Sequence, residues 1–140
     1  MSGMKTQLAG HLLVDCLIAQ GVTHAFGVPG ESYLAVLDAL HDVDIKTIVC
    51  RQEGGAAYMA EAAGKITGQP GIVMVTRGPG ATNASCGIHV ASQDSTPLIM
   101  FVGQVARDMK ELIDEVAPYY FKTEEQQEGA NAFQIGRAHV

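Results

Sequence analysis

Cationic side chains are scarce in this chain. Lysine and arginine total 9 against 15 aspartates and glutamates, a formal net charge of −6. Nucleic acids and anionic membranes both call for a cationic face, so neither is expected as a partner. Long apolar runs are missing as well: none reaches the roughly 18 residues that a membrane span requires. The opening segment MSGMKTQLAG carries no apolar signal core with a cleavage site. Cysteine is limited to Cys16, Cys50 and Cys86, with no CxxC pair. That spacing argues against a structural zinc site or a thioredoxin-like motif. A small thiol in an apolar stretch is by default a buried one. Free thiols fit a reducing, cytoplasmic setting. His11, His24, His41 and His89 are scattered without metal-ligand spacing, and no metal site is expected.

What remains is a globular composition. Of 140 residues, 47% are hydrophobic and 17% charged, which suits one domain with a proper core. Charge is uneven along the chain. Residues 1–110 hold 7 bases and 9 acids, whereas residues 111–140 hold 2 and 6. The second stretch also loses its apolar periodicity and reads as a solvated acidic connector.

The first stretch alternates. Leu8, Leu12, Leu13, Cys16 and Leu17 lie at helical spacing within residues 6–20. Residues 23–28 form a short apolar strand ending at Pro29-Gly30. A helix follows over 32–41, with Leu34, Val36, Leu37 and Leu40 on one stripe. The β-branched run 45–50 is a strand, and the Ala-rich 53–66 a helix, despite three glycines that lower its intrinsic propensity. Residues 71–76 are a buried strand, 81–92 a helix and 97–102 a strand. Met59, Met74 and Met100 read as packing residues. Strands alternating with helices give an α/β fold, a doubly wound, mostly parallel sheet with helices on both faces.

The unusual sequences cluster after strands. Gly27-Val28-Pro29-Gly30-Glu31 follows the first, Arg51-Gln52-Glu53-Gly54-Gly55 the second, Arg77-Gly78-Pro79-Gly80-Ala81-Thr82-Asn83 the third and Gly103-Gln104 the fourth. In a parallel sheet all four positions lie on the carboxyl edge, where such folds bind ligands. Each motif has a plainer reading too. Gly-Val-Pro-Gly also reads as a tight strand-to-helix turn. Gly-Pro-Gly also reads as a helix entry capped by Thr82 or Asn83. A GxGxxG or GK[ST] phosphate loop is not present.

Glu53 stands out. It opens a helix, where the dipole favours a carboxylate, so a capping role is available. Its sequence neighbours Gly54, Gly55, Ala56 and Ala57 offer no side-chain partner, and the glycines let a ring approach closely. Partial desolvation there raises a carboxyl pKa, with Arg51 opposing, and a protonated glutamate donates a hydrogen bond to a ring nitrogen.

Together these segments resemble the N-terminal pyrimidine-binding domain of thiamine-diphosphate-dependent enzymes, acetolactate synthase-like. The resemblance is carried by Ala25-Phe26-Gly27-Val28-Pro29-Gly30, by Cys50-Arg51-Gln52-Glu53-Gly54-Gly55-Ala56-Ala57, and by Val75 through Asn83. Asp94-Ser95-Thr96-Pro97-Leu98 and Gly103-Gln104-Val105 continue it in register. It implies a flavodoxin-like pyrimidine-binding domain over residues 1–109. It also implies that Glu53 is catalytic, hydrogen-bonding the aminopyrimidine ring nitrogen and favouring the imino tautomer. Pro29 and Gly30 would lie against that ring, with Thr76, Pro79 and Asn83 in the loop flanking the cofactor. The implied activity is decarboxylation or carboligation of 2-keto acids. The implied assembly is a homodimer or homotetramer with the site between subunits. Mg²⁺ and the diphosphate are held in the family by a Gly-Asp-Gly motif of a C-terminal domain. This sequence has no Gly-Asp dipeptide, so the fragment alone is expected to be inactive. FAD, where the family uses it, belongs to a middle domain.

Ala132-Phe133-Gln134 matches a family segment whose glutamine reaches toward the active site, but only after an extra stretch from about residue 110 to 131. Gln134 is therefore a possible site residue. Residues 110–134 are expected to be a truncated acidic connector, and residues 135–140 a translated sequencing adaptor closing a truncated reading frame. The competing reading is a free-standing pyrimidine-domain subunit of a split decarboxylase, such as one acting on sulfopyruvate or phosphonopyruvate. Gly27-Val28-Pro29-Gly30-Glu31 differs from the Tyr-Pro-Gly-Gly form common in acetolactate synthases, which leaves the exact reaction open.

Overall fold

The computed structural model describes residues 7–105. The chain divides into two units, Met1–Gln104 and Val105–Val140, and the fold below is that of the first. The boundaries expected at residues 109, 134 and 135, and Gln134 itself, lie outside the described residues.

Helix α1 spans Ala9–Ala19, α2 Leu34–His41, α3 Glu53–Thr67 and α4 Pro79–Gln93. Strands β1 (His24–Gly27), β2 (Lys46–Val49), β3 (Gly71–Thr76) and β4 (Leu98–Gly103) alternate with them. The strands form one sheet in the order β2-β1-β3-β4, every pair parallel. The chain runs outward from β1 to β2, then crosses back to β3 on the other side of β1. The reversal puts a crevice outside the carboxyl ends of β1 and β3, the position at which open α/β sheets take ligands.

Period-two alternation in β3 builds a core on each face. Ile72 and Met74 pack with Val14, Leu17, Ala25, Ala39 and Leu40 under α1 and α2. Val73 and Val75 point the other way, to Ala56, Ala57, Ala60 and Ala84 of α3 and α4. The first five residues of β3 are all buried, the continuous apolar run expected of a central parallel strand. The alanines explain how α3 forms despite its low propensity. Small side chains let the two helices lie close, and tertiary packing outweighs the intrinsic cost of the glycines.

Some expectations need correction. Helix α4 begins at Pro79 rather than Ala81, because proline at the first helical position has no N–H to leave unsatisfied. Its cap is Gly78, at φ +61°, with no side-chain bond, so neither Thr82 nor Asn83 caps it. The helix expected from residue 32 starts as a single 3₁₀ turn, Glu31–Tyr33, before α2 proper. The cysteines are not buried: Cys16 and Cys86 are exposed and Cys50 half-buried. Met59 is 49% exposed, its sulfur 3.8 Å from Cys50 Sγ, so it is not a core residue. Among the described residues no helix is long and apolar enough to cross a membrane.

At the amino edge a polar cluster ties α3 to the segment entering β4. Glu61 is only 6% exposed. Lys65 Nζ lies 2.8 Å from its Oε1 and 2.6 Å from Asp94 Oδ2. Thr96 Oγ1 donates to Glu61 at 3.1 Å. Asp94 and Thr96, part of the motif that continued the family resemblance, thus serve the scaffold. Asp94 first, and Glu61 second, hold the Lys65 pKa well above the ordinary lysine value. The stability linked to the Lys65 proton is therefore fully present below about pH 10.4 and is lost as pH rises from there through the raised value of the folded state. Lys65→Met should lower the melting midpoint at neutral pH by several degrees, because it strands a buried carboxylate. Adding Glu61→Leu should recover part of the loss. Equal midpoints for Lys65→Met and wild type in a thermal scan would contradict this account.

Candidate functional site

Three turns meet at the carboxyl edge. The parallel register pairs Gly27 with Met74, so the Val28–Gly30 turn leaves β1 next to the end of β3. A β-carbon on Gly30 would come within 3.0 Å of Thr76 Cβ. On the far side of Thr76, a β-carbon on Gly80 would lie 2.8 Å from its Cγ2 and 3.6 Å from Glu53 Oε1. Glu53 Oε2 accepts a hydrogen bond from Asn83 Nδ2 at 3.1 Å. Gly30, Thr76, Gly80, Glu53 and Asn83 thus form one line of contacts across the crevice. Side chains are absent where the line is most crowded.

The two prolines sit at its margins. Pro79 is exposed at the first turn of α4. Pro29 is exposed and borders a small cavity with Phe26, Tyr33, Leu37, Val49 and Met74. Gly30 is a member of that turn brought against Thr76.

Glu53 occupies the first position of α3 and is half-buried. It does not cap the helix. Gln52 does, its side chain accepting from Gly55 N at 2.8 Å, which leaves the Glu53 carboxylate available for other contacts. The absence of a partner among its sequence neighbours holds, but Asn83, thirty positions on, supplies one. A charge-accepting carboxylate at the positive end of α3 is favoured there. Its opposite oxygen, Oε1, faces the space beside Gly80. One oxygen of the carboxyl group is thus held by Asn83 and the other lies beside Gly80.

Sequence reasoning missed Tyr33 and Ser32. Ser32 Oγ and Thr76 Oγ1 share a hydrogen bond of 2.7 Å between the β1 turn and the end of β3. The Tyr33 hydroxyl donates to the Val28 carbonyl. Burial, and then the nearby Glu53 charge, raise the Tyr33 pKa, so it stays a donor at any physiological pH. A tyrosine inside a leucine stripe was the available signal. Arg77 and Glu31 face each other across the mouth at 3.8 Å with Glu31 83% exposed, a surface pair of small energetic weight. Another cavity, lined in part by Leu17, His24, Phe26, Ile72 and Ile99, lies at the amino edge; it shares Phe26 with the cavity at Pro29 but is not lined by Gly30, Tyr33, Glu53, Thr76 or Asn83.

Comparison with known proteins identifies the family of the chain. Residues 8–134 match the family described as thiamine pyrophosphate enzyme, N-terminal TPP binding domain. The chain is 50% identical over 96 residues to an acetolactate synthase of Bacillus subtilis (strain 168), covering 69% of this chain and 17% of that protein. It is 44% identical over 107 residues to the acetolactate synthase isozyme 3 large subunit of Escherichia coli (strain K12), covering 76% and 19%. It is 44% identical over 102 residues to the acetolactate synthase large subunit of Lactococcus lactis subsp. lactis (strain IL1403), covering 72% and 18%. The chain spans less than a fifth of the length of each of these relatives.

Proposed function

The chain belongs to the thiamine pyrophosphate enzyme family, whose N-terminal TPP binding domain it carries, and from that premise we propose that it forms the pyrimidine-binding part of an acetolactate synthase-like enzyme acting on 2-keto acids. The observation that carries the proposal is the Glu53 carboxyl group at the β1/β3 crevice. Asn83 holds Oε2, and Oε1 is turned to the space beside Gly80. A β-carbon at Gly80 would crowd Thr76 Cγ2, and one at Gly30 would crowd the other side of Thr76, so the glycines keep both sides of Thr76 clear of side chains, which fits a flat aminopyrimidine.

When bound, thiamine diphosphate supplies a nucleophilic carbon and an electron sink for breaking the bond next to a keto carbonyl. This chain supplies orientation and proton control. Glu53 holds a proton at Oε1 and shares it with a ring nitrogen. Asn83 fixes the rotation of the carboxyl group, so that the free oxygen keeps its aim. Thr76 and the Val28–Gly30 turn form the opposing walls.

The remaining parts of the reading rest on the family. Mg²⁺ and the diphosphate would be held by a segment carrying the Gly-Asp-Gly motif, and FAD, where used, by a middle domain. The assembly would be a homodimer or homotetramer with the site between subunits, in the cytoplasm. The acetolactate synthase relatives favour carboligation over the free-standing decarboxylase subunit. The test compares two proteins. A full-length enzyme carrying this domain should convert pyruvate to acetolactate only with thiamine diphosphate and Mg²⁺. The 140-residue chain alone should turn nothing over and show no micromolar binding of the cofactor by titration calorimetry. Tight, Mg²⁺-dependent binding by the chain alone would contradict the division of labour. Thiamine-independent turnover would contradict the function.

A further inference from the structure

Tyr33 belongs to neither neighbouring element in a regular way. At φ −141° and ψ 33° it stands between the 3₁₀ turn and α2, and it is 9% exposed. Its hydroxyl has one proton to give, and that goes to the Val28 carbonyl, with the Met74 carbonyl 3.4 Å away. Its ring borders two other chain segments. A β-carbon on Gly30 would lie 3.4 Å from Tyr33 Cε1, and one on Gly103 would lie 2.9 Å from Cδ1. The adjoining Ser32 bonds Thr76. Two consecutive residues therefore touch the β1 turn, the end of β3 and the end of β4.

The turn has need of such a hold. Pro29 has no backbone N–H to donate. The backbone bond from Tyr33 N to the Gly30 carbonyl is long, at 3.4 Å. A phenylalanine would fill the same volume, so the hydroxyl is the part that the packing does not explain. Its acceptor is the carbonyl immediately before the proline.

We propose that Tyr33 is a positioning residue: by donating to the Val28 carbonyl it holds the Val28-Pro29-Gly30 turn at a fixed depth beside Thr76, and so sets the wall against which the aminopyrimidine rests. This builds on the reading of the crevice as a pyrimidine pocket. It assigns to Tyr33 no contact with the cofactor and no part in proton transfer.

The test is Tyr33→Phe, read in two ways. In the 140-residue chain, the amide of residue 33 should exchange with solvent at least about ten-fold faster, the amides of Val73 and Val75 staying as in wild type. That corresponds to the loss of roughly one hydrogen bond confined to the turn. In a full-length enzyme, half-saturation with thiamine diphosphate should need about ten-fold more cofactor, while kcat at saturation stays within about two-fold. A residue that only fills the core would move neither. Gly103→Ala is the second variant, since its methyl group would meet Ser32 Oγ at 2.3 Å and the Tyr33 ring at 2.9 Å. It should reproduce the fast exchange with the hydroxyl still present. Unchanged exchange at residue 33 in Tyr33→Phe overturns the proposal, and so does fast exchange with an unchanged cofactor requirement. Failure of the pocket reading would look different, since the wild-type enzyme would then work without thiamine diphosphate.

Discussion

A Glu53→Gln variant of a full-length enzyme carrying this domain is expected to fold normally and to lose at least about a hundred-fold of its rate, within the usual range for removing a positioned acid–base group. Glutamine has the same shape. Its amide oxygen can still accept from Asn83 Nδ2, which now bonds Oε2 at 3.1 Å. Its NH₂ can still donate toward a ring nitrogen. What it cannot do is give the proton up and take it back. The variant thus separates hydrogen bonding from proton sharing. The direct measurement is hydrogen–deuterium exchange at the thiazolium carbon of bound cofactor, quenched in acid and read by NMR. Exchange close to wild type would remove the acid–base role of Glu53, whatever happened to overall turnover. A melting midpoint within a few degrees of wild type should accompany the loss, because Gln52, not Glu53, caps α3 and only the favourable charge at the helix start is removed.

The largest stability effect is expected at Gly71, the first residue of β3. A β-carbon there would stand 1.8 Å from the Ala60 carbonyl oxygen and 2.6 Å from its carbon. Both are backbone atoms, so no rotamer change relieves the clash. Gly71 N also donates to the Pro97 carbonyl at 3.0 Å, which pins the strand from the other side. Gly71→Ala must push α3 off the sheet, and α3 carries Glu53. Overpacking of this kind costs about 3 kcal/mol or more. In a domain of this size, that is roughly 12–24 °C in melting midpoint. Gly55→Ala is the matched control. Its β-carbon would meet nothing within 4 Å, and alanine is the better helix former by about 1 kcal/mol, so its midpoint should rise or stay level. Similar midpoints for the two variants would show that the contact between α3 and β3 is looser than described.

Much of this was legible before any coordinates. Strands and helices announce themselves through local periods of two and 3.6, as Ile72 to Val75 and Leu34 to Leu40 do. The order of elements then restricts the sheet to a parallel, doubly wound form. The turns that follow its strands must gather at one edge, and Glu53 with its flanking glycines falls there. The misjudged residues were those whose surroundings come from distant segments. Met59 has apolar neighbours in sequence, yet it is 49% exposed because the alanines of α3 fill the space against β3.

Element types, the parallel sheet and the gathering of glycine–proline turns at its carboxyl edge were determined by the sequence alone, because each depends on residues within a few positions of one another. The tertiary structure alone decided which turns touch. It brought Asn83 to Glu53 and Ser32 to Thr76, and set Tyr33 beneath Val28. The first two contacts join residues 30 and 44 positions apart. Even the five-residue span from Val28 to Tyr33 closes only because the non-helical backbone at Tyr33 and the packing of Gly103 turn its ring inward. No local pattern encodes such distances. They follow from the register of β1 against β3 and from how far small side chains let α3 and α4 settle onto the sheet.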